Sequence, residues 1–113
     1  MHELAIIEGV LETVTEVAAA HQLSRVTRVE MVIGRMHHLV PAMLVFAFET
    51  SAKGTLAEKC KLVIEWQPVF VSCRDCSAES EISERLFICP SCGSFRLNTL
   101  SGKELYIKSL TGE

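Results

Sequence analysis

The sequence lacks a long uninterrupted apolar stretch, an excess of positive charge and any internal repeat beyond its cysteine pairs. Its longest apolar run, from Leu39 to Phe48, has ten residues and contains Pro41, whereas a membrane-spanning helix needs about 20. No basic segment followed by an apolar stretch and a small-residue cleavage site opens the chain, so a secretory signal is not expected. These absences predict a cytoplasmic protein that does not enter the membrane.

Basic residues are also too few to suggest a general affinity for nucleic acid. Eleven Lys and Arg against 14 Asp and Glu give a formal net charge of −3, a balance without overall attraction to phosphate backbones or anionic membranes. Hydrophobic residues make up 49% and charged residues 22% of the 113 positions, which excludes wholesale disorder. The length suits one compact domain, or one small domain carrying a smaller module stapled by a metal.

Signatures of catalysis are absent as well. The chain has no glycine-rich loop for phosphates, no recognisable nucleophile–base pair and no catalytic zinc motif. We therefore predict that the protein is not an enzyme. A thiol oxidoreductase is the remaining enzymatic alternative, because the chain carries paired cysteines.

The apolar pattern predicts the order helix, strand, helix, strand, cysteine-rich module, strand. A helix is predicted over 4–22, with a buried face formed by residues three and four apart, namely Leu4, Ile7, Leu11, Val14 and Ala18. β-Branched residues predict a strand over 25–33 that ends at Gly34. A second helix is predicted from Pro41 to about Lys53, ended by Gly54 and burying Leu44, Ala47 and Phe48. Alternating polarity predicts one strand over 61–69 and a last strand after Gly102.

The last predicted strand is too short to be stable alone, so we expect it to pair with the earlier strands. The fold class is therefore α+β, with two helices and a three-stranded sheet. One domain is predicted to comprise residues 1–69 and 102–113. Residues 70–101 would form a zinc ribbon inserted before the last strand.

Four cysteines form two C-x-x-C pairs separated by twelve residues, Cys73 with Cys76 and Cys89 with Cys92. Two such knuckles facing each other complete a tetrahedron of thiolates around Zn²⁺, and four protein ligands leave no open position for a substrate. The predicted zinc is therefore structural, and it would supply the folding energy of a module with little core. Residues 70–101 hold three Arg against four Asp and Glu, so this ribbon is not expected to bind nucleic acid.

Two further features of these segments have simple interpretations. Gly93 follows the second knuckle, where a turn often requires a positive φ. Cys60 lies outside both pairs, and its simplest interpretation is a small buried residue near the start of a strand.

The chain begins Met1-His2-Glu3, a segment rich in nitrogen ligands. A free α-amine titrates at about 7.7–8.0, so a divalent metal can displace its proton at neutral pH. With the His2 imidazole and the neighbouring amide nitrogens it offers a planar nitrogen set, which favours Ni²⁺ or Cu²⁺ over Zn²⁺ or Mg²⁺. On these residues alone, an exposed histidine without a metal stays open as the simpler interpretation.

His37 and His38 are adjacent, just after the first predicted strand. They are candidates for additional metal ligands. Neighbouring side chains usually point apart, so the interpretation without a metal is the simpler one.

Six motifs, spread over the whole chain in order, resemble those of one family: Met1-His2-Glu3-Leu4, Ile33-Gly34, Val40-Pro41, Phe46-Ala47-Phe48-Glu49, Cys73-x-x-Cys76 and Cys89-x-x-Cys92. The family is HypA/HybF, the nickel metallochaperones of NiFe-hydrogenase maturation. The resemblance implies a nickel-binding domain over 1–69 and 102–113, with the zinc ribbon over 70–101 inserted in it. It also implies that Ni²⁺ is a transient cargo, delivered to the hydrogenase large-subunit precursor together with a HypB-type GTPase.

The same resemblance implies roles for individual residues. His2 becomes the principal nickel ligand, beside the Met1 amine and the backbone at His2 and Glu3. Glu3 becomes a residue that supports the nickel ligands or docks a partner, and the four paired cysteines become zinc ligands. A zinc-ribbon adaptor without nickel transfer is the alternative function. The sequence leaves open whether urease accessory proteins are partners and whether the chain forms a homodimer.

Overall fold

The computed structural model describes residues 2–83 and 85–113. The elements, in chain order, are α1 (Glu3–Ala20), β1 (Val26–Gly34), a 3₁₀ turn (Arg35–His37), α2 (Pro41–Ala52), β2 (Lys61–Gln67), β3 (Val69–Cys73), β4 (Glu79–Ile82), β5 (Leu97–Ser101) and β6 (Leu105–Gly112). The strands form two three-stranded sheets, ordered β2-β1-β6 and β4-β3-β5. The predicted α+β class, with two helices and a sheet completed by the last strand, is confirmed.

The chain divides into two compact units. The first comprises Met1–Met31, Leu39–Glu65 and Tyr106–Glu113, and the second comprises Val32–His38 and Trp66–Leu105. The second unit is thus longer than the segment 70–101 on which the zinc ribbon is predicted. The assignment of a nickel domain and a zinc domain to these segments stays a prediction.

Both helices lie in the first unit and pack against each other. Pro41 occupies the first turn of α2, where its missing N–H removes no helical hydrogen bond. Leu44, Ala47 and Phe48 of α2 are buried, as predicted. Gly54 follows the helix with φ +76, a conformation that ends helices and favours glycine.

The buried face of α1 differs from the predicted one. It consists of Glu3, Ile7, Val10, Val14 and Ala18, whereas Leu4 is 56% exposed and Leu11 is only partly buried. The buried face of α1 is therefore rotated slightly from the apolar face that the sequence predicts, and it includes the Glu3 carboxylate in place of Leu4.

The predicted strand over 61–69 is wrong as a single strand. β2 ends at Gln67 and belongs to the first sheet, whereas Val69 begins β3 in the second sheet. Pro68 lies between them, and since proline lacks the N–H that a ladder needs, it separates the two strands.

The second sheet is built around β3. Val69 pairs with Ile82 of β4, and Cys73 pairs with Leu97 of β5, both antiparallel. Val69, Val71 and Ile82 are buried together, with Met36, Phe87 and Leu97 packed against them. This apolar cluster is small for a unit of its length, which is consistent with a fold that depends on a metal.

Candidate metal centres

The two cysteine pairs come together in the second unit. The Sγ atoms of Cys73, Cys76, Cys89 and Cys92 all lie within 4.8 Å of one another. The Cys73–Cys92 and Cys76–Cys89 sulfur distances are both 3.6 Å. Four sulfurs about 2.3 Å from a central Zn²⁺ form a tetrahedron with edges of about 3.8 Å, so the observed spacing fits such an ion. The predicted metal-binding cysteines are thus brought together.

The backbone of the two knuckles follows the same plan. The N–H of Ser77 donates to the Cys73 carbonyl at 3.0 Å, and that of Gly93 donates to the Cys89 carbonyl at 2.9 Å. Ser77 and Gly93 have φ +64 and +78, so the positive φ expected at Gly93 is confirmed. Each turn folds the chain back directly after its second cysteine and leaves both sulfurs on one side.

Backbone N–H groups point at the first sulfur of each knuckle and favour its thiolate. The N–H groups of Asp75 and Cys76 lie 3.4 and 3.5 Å from Cys73 Sγ. In the second knuckle the N–H of Cys92, and after it that of Ser91, lower the pKa of the Cys89 thiol to about 6 against the opposing effect of burial. These donors prepare the sulfurs to bind a cation.

The neighbouring sulfurs also act on the Cys92 thiol. The N–H of Ser94 favours the Cys92 thiolate, but hydrogen bonding with the Cys73 thiol, together with burial, outweighs it and raises the pKa of Cys92 to about 12. Four thiolates this close repel one another, so a divalent cation is the natural partner of the set. Such a site is saturated by protein ligands and offers no position for a substrate.

Cys60 belongs to a different environment. It is buried in the first unit, and its thiol lies 3.7 Å from the Lys61 carbonyl. Burial raises the pKa of this thiol, which makes it a poor nucleophile and a poor metal ligand. The interpretation of Cys60 as a small buried residue agrees with this placement.

The amino-terminal segment places His2 at the start of α1. Its carbonyl accepts the first helical hydrogen bond, from the N–H of Ile6 at 3.0 Å, while its side chain is exposed and does not cap the helix. The backbone at His2 is thus held by the helix and the imidazole faces solvent. Met1, part of the predicted nickel site, lies outside the described residues.

Glu3 ties the start of α1 to the start of α2. Its side chain is only 4% exposed, and Oε2 accepts a hydrogen bond from the N–H of Val40 at 3.0 Å. A carboxylate is rarely buried without such partners. This contact fixes the residue next to His2 against a second element of the same unit.

A groove of about 590 Å³ lies beside His2, between α1 and α2. Its lining includes His2, Leu4, Glu8, Met43 and Phe46. Phe46 is 71% exposed, which is unusual for a large aromatic side chain. The helical pattern did not reveal this groove, because it placed Leu4 in the core.

His37 and His38 belong to no group of three or more metal-ligating side chains within the described residues, and their role as possible nickel ligands stays a prediction. Nε2 of His37 lies 3.0 Å from the Lys103 carbonyl, and His38 is exposed with φ +53. Within residues 2–83 and 85–113, the four paired cysteines are the one group of three or more His, Cys, Asp and Glu side chains placed to hold a metal. A nickel site at the amino terminus would therefore need backbone or terminal nitrogens besides side chains.

Among the helices described, none is long and apolar enough to cross a membrane.

Residues 1–112 match the protein family described as "Hydrogenase/urease nickel incorporation, metallochaperone, hypA". The hydrogenase maturation factor HypA of Moorella thermoacetica is 40% identical over 113 residues, which cover 100% of both chains. That of Rhodobacter capsulatus is 42% identical over 110 residues, 97% of both chains.

The fold is also shared with solved structures. The solution structure of the Ni metallochaperone HypA from Helicobacter pylori has a TM-score of 0.66 at 27% identity, covering 99% of this chain and 97% of that chain. A second solution structure of a HypA protein has a TM-score of 0.70 at 25% identity, covering 100% and 97%. These matches over nearly the full length confirm the resemblance that the motifs indicate. The chain therefore belongs to the HypA family of nickel-incorporation metallochaperones of hydrogenase maturation.

Proposed function

We propose that this chain holds Ni²⁺ at its amino-terminal segment and delivers it to the precursor of the hydrogenase large subunit. The single observation that supports this location of the nickel site is the position of His2. Its exposed imidazole lies directly beside a backbone that is fixed by α1 and by the buried Glu3 carboxylate.

The nickel ligands in this proposal are nitrogens of the first three residues. The His2 imidazole is the principal side-chain ligand, and the Met1 amine and the backbone amides at His2 and Glu3 complete a planar set, which suits Ni²⁺. An open, exposed site of this kind releases its ion more readily than a closed cage, as a carrier requires. Glu3 positions this segment through its bond to Val40.

The four-cysteine site is proposed to hold a structural Zn²⁺ at Cys73, Cys76, Cys89 and Cys92. The support is the donor set and its spacing, since tetrahedral thiolate coordination suits Zn²⁺. Zinc and nickel are then kept apart by ligand type, with sulfur for one and nitrogen for the other. The zinc stabilises the second unit and takes no part in a reaction.

The partners proposed for delivery are a HypB-type GTPase and the large-subunit precursor, in the cytoplasm. The relatives named as hydrogenase maturation factors support this pathway, and the family description adds urease as a second client. The groove beside His2 is a surface where a partner could contact the nickel-bearing segment directly. Residues 1–69 and 102–113 are proposed as the nickel domain, with 70–101 as the zinc domain.

The test compares two histidine variants of the untagged, zinc-loaded chain. His2→Ala is expected to lose stoichiometric nickel binding in equilibrium dialysis, because it removes the imidazole of the site. His21→Ala removes an exposed histidine at the other end of α1 and is expected to bind nickel as the wild type does. Both variants should retain their zinc and their helical circular dichroism, since neither imidazole is part of the core.

Two outcomes would overturn the proposal. One is tight stoichiometric nickel binding by the His2→Ala protein, which would place the cargo elsewhere. The other is a wild-type chain that binds zinc alone, which would favour the zinc-ribbon adaptor.

A further inference from the structure

Apart from the contacts between cysteine sulfurs, one hydrogen bond between side chains joins the two cysteine knuckles in the part of the chain that the structure describes. Ser94 Oγ donates a hydrogen bond to Asp75 Oδ2. Asp75 lies between the two cysteines of the first knuckle, and Ser94 follows the second knuckle.

Both partners of this bond are also bonded to the cysteines. The N–H of Asp75 points at Cys73 Sγ, 3.4 Å away. The carbonyl of Ser94 accepts the N–H of Cys89 at 2.9 Å. The contact therefore joins the backbone that orients a sulfur in the first knuckle to the backbone that orients one in the second.

Arg96 holds the two partners in place. Its N–H donates to Ser94 Oγ at 3.0 Å, and its Nε lies 3.7 Å from Asp75 Oδ1. Ser94 thus receives one hydrogen bond and gives another, which fixes the direction of its hydroxyl. The carboxylate is engaged by both of its oxygens.

No reciprocal hydrogen bond joins the knuckles on the other side among the residues described. By the shared plan of the two knuckles, Ser91 and Ala78 occupy the positions that correspond to Asp75 and Ser94. Ala78 has no hydroxyl to donate. The two knuckles are therefore joined by this bond on one side only.

We propose that Asp75 and Ser94 form a latch that holds the two knuckles together and sets the rate at which the metal site opens. This inference rests on the proposed zinc site and assigns it two positioning residues that are not ligands. For Zn²⁺ to leave, the thiolates of one knuckle must dissociate while the other retains the ion. The latch keeps the dissociated knuckle within reach, so recapture of the ion competes with its loss.

The expected effect of losing the latch follows from the behaviour of groups that support metal ligands. Their removal costs about 10–100-fold in metal affinity. Asp75 is 44% exposed, and solvent weakens such a contact. We therefore expect a loss of affinity at the lower end of that range, about tenfold. Since the latch acts on the opening of the site and not on zinc uptake, this loss becomes an increase of about tenfold in the rate of zinc release.

The experiment measures transfer of zinc from the zinc-loaded full chain to an excess of the chromophoric chelator 4-(2-pyridylazo)resorcinol. Ser94→Ala removes the hydroxyl without changing charge and is expected to release zinc about tenfold faster. Ser94→Thr keeps a hydroxyl and is expected to release zinc at the wild-type rate. Glu81→Gln removes the charge of an exposed acid on β4 of the same unit. It is the control for the charge that is lost in the Asp75→Ala variant of the double-mutant cycle.

A double-mutant cycle separates the latch from general weakening of the ribbon. In an Asp75→Ala background, Ser94→Ala should change the release rate by less than a factor of two, because its partner is already missing. The Co²⁺-substituted variants should keep the absorption spectrum of a tetrahedral thiolate site. These two results together would show that the metal ligands are unchanged and that the rate at which the metal site opens has changed.

Two results would overturn the inference. One is release from Ser94→Ala at the wild-type rate, and the other is an equally large effect of Ser94→Ala with and without Asp75. Failure of the zinc proposal itself is recognised separately, since the wild-type chain would then not hold one zinc ion at the outset. If Ser94→Ala releases zinc too fast to follow while Ser94→Thr does not, equilibrium competition with the same chelator gives the loss of affinity, and the latch stands.

Discussion

Substitution of Gly34 by alanine is expected to destabilise the protein, because this glycine lies directly against another backbone segment. An added Cβ would lie 2.0 Å from the carbonyl oxygen of Gly102 and 2.6 Å from the nitrogen of Lys103. The backbone of Gly34 has φ −79 and ψ 144, which any residue adopts. Glycine is therefore required here by space and not by conformation.

The cost can be worked out from the hydrogen bonds that the clash disturbs. The two segments must separate by about 1 Å to bring the Cβ to a tolerable distance. This separation strains the bond from the Gly34 N–H to the Glu104 carbonyl, 2.7 Å, and that from the Met36 N–H to the Gly102 carbonyl, 2.9 Å. Each bond contributes about 0.5–1.5 kcal/mol, and overpacking adds about 1–3 kcal/mol. The expected loss is about 2–6 kcal/mol of unfolding free energy.

Gly9→Ala is the matched control. Gly9 lies within α1, and a Cβ added there meets no atom within 4 Å. Alanine is preferred over glycine inside a helix by about 0.5–1 kcal/mol. The same substitution is therefore expected to stabilise the protein at Gly9 and to destabilise it at Gly34.

Urea unfolding with two probes measures both effects. Trp66, the single tryptophan, lies in the second unit with Arg35 stacked 5.8 Å from its ring, so its fluorescence reports on the region of Gly34. Helical circular dichroism reports on the first unit, which holds both helices. A Gly34→Ala protein within about 0.5 kcal/mol of the wild type, the range of an ordinary surface substitution, would refute this reasoning.

Two further predictions concern the metal ligands. Cys92→Ser is expected to lose stoichiometric zinc and the ordered second sheet while keeping its helical signal, whereas Cys60→Ser should keep one zinc ion per chain. Elemental analysis measures the zinc content of both variants, and tightly bound zinc in Cys92→Ser would contradict the four-cysteine site. The double variant His37→Ala/His38→Ala is expected to bind nickel as the wild type does, because His37 lies against the Lys103 carbonyl and His38 faces solvent. A clear loss of nickel affinity in dialysis would instead make one of them a ligand.

The features predicted correctly from the sequence are those encoded by neighbouring residues. The C-x-x-C spacing predicts each knuckle, and Pro41 with Gly54 predicts the two ends of α2. The motifs distributed along the chain predict the family, and membership of that family confirms a metallochaperone rather than an enzyme.

The errors arise where distant residues decide the structure. The local pattern places Leu4 in the core, but Glu3 is buried instead because the N–H of Val40, 37 residues away, satisfies its carboxylate. Alternation across 61–69 continues through Pro68, although the chain changes sheets there. The short polar strands β4 and β5 carry too little apolar pattern to be recognised before the β3 that pairs with both is known.

The most direct test of the central claim is the nickel absorption-edge spectrum of the untagged, zinc-loaded chain with one equivalent of Ni²⁺. The expected nickel shell consists of nitrogen ligands that include an imidazole, and the imidazole signal is expected to disappear in His2→Ala. The zinc spectrum of the same sample is expected to show four sulfur ligands. Sulfur in the nickel shell, or an imidazole signal that persists in His2→Ala, would contradict the assignment of the cargo to the amino-terminal segment.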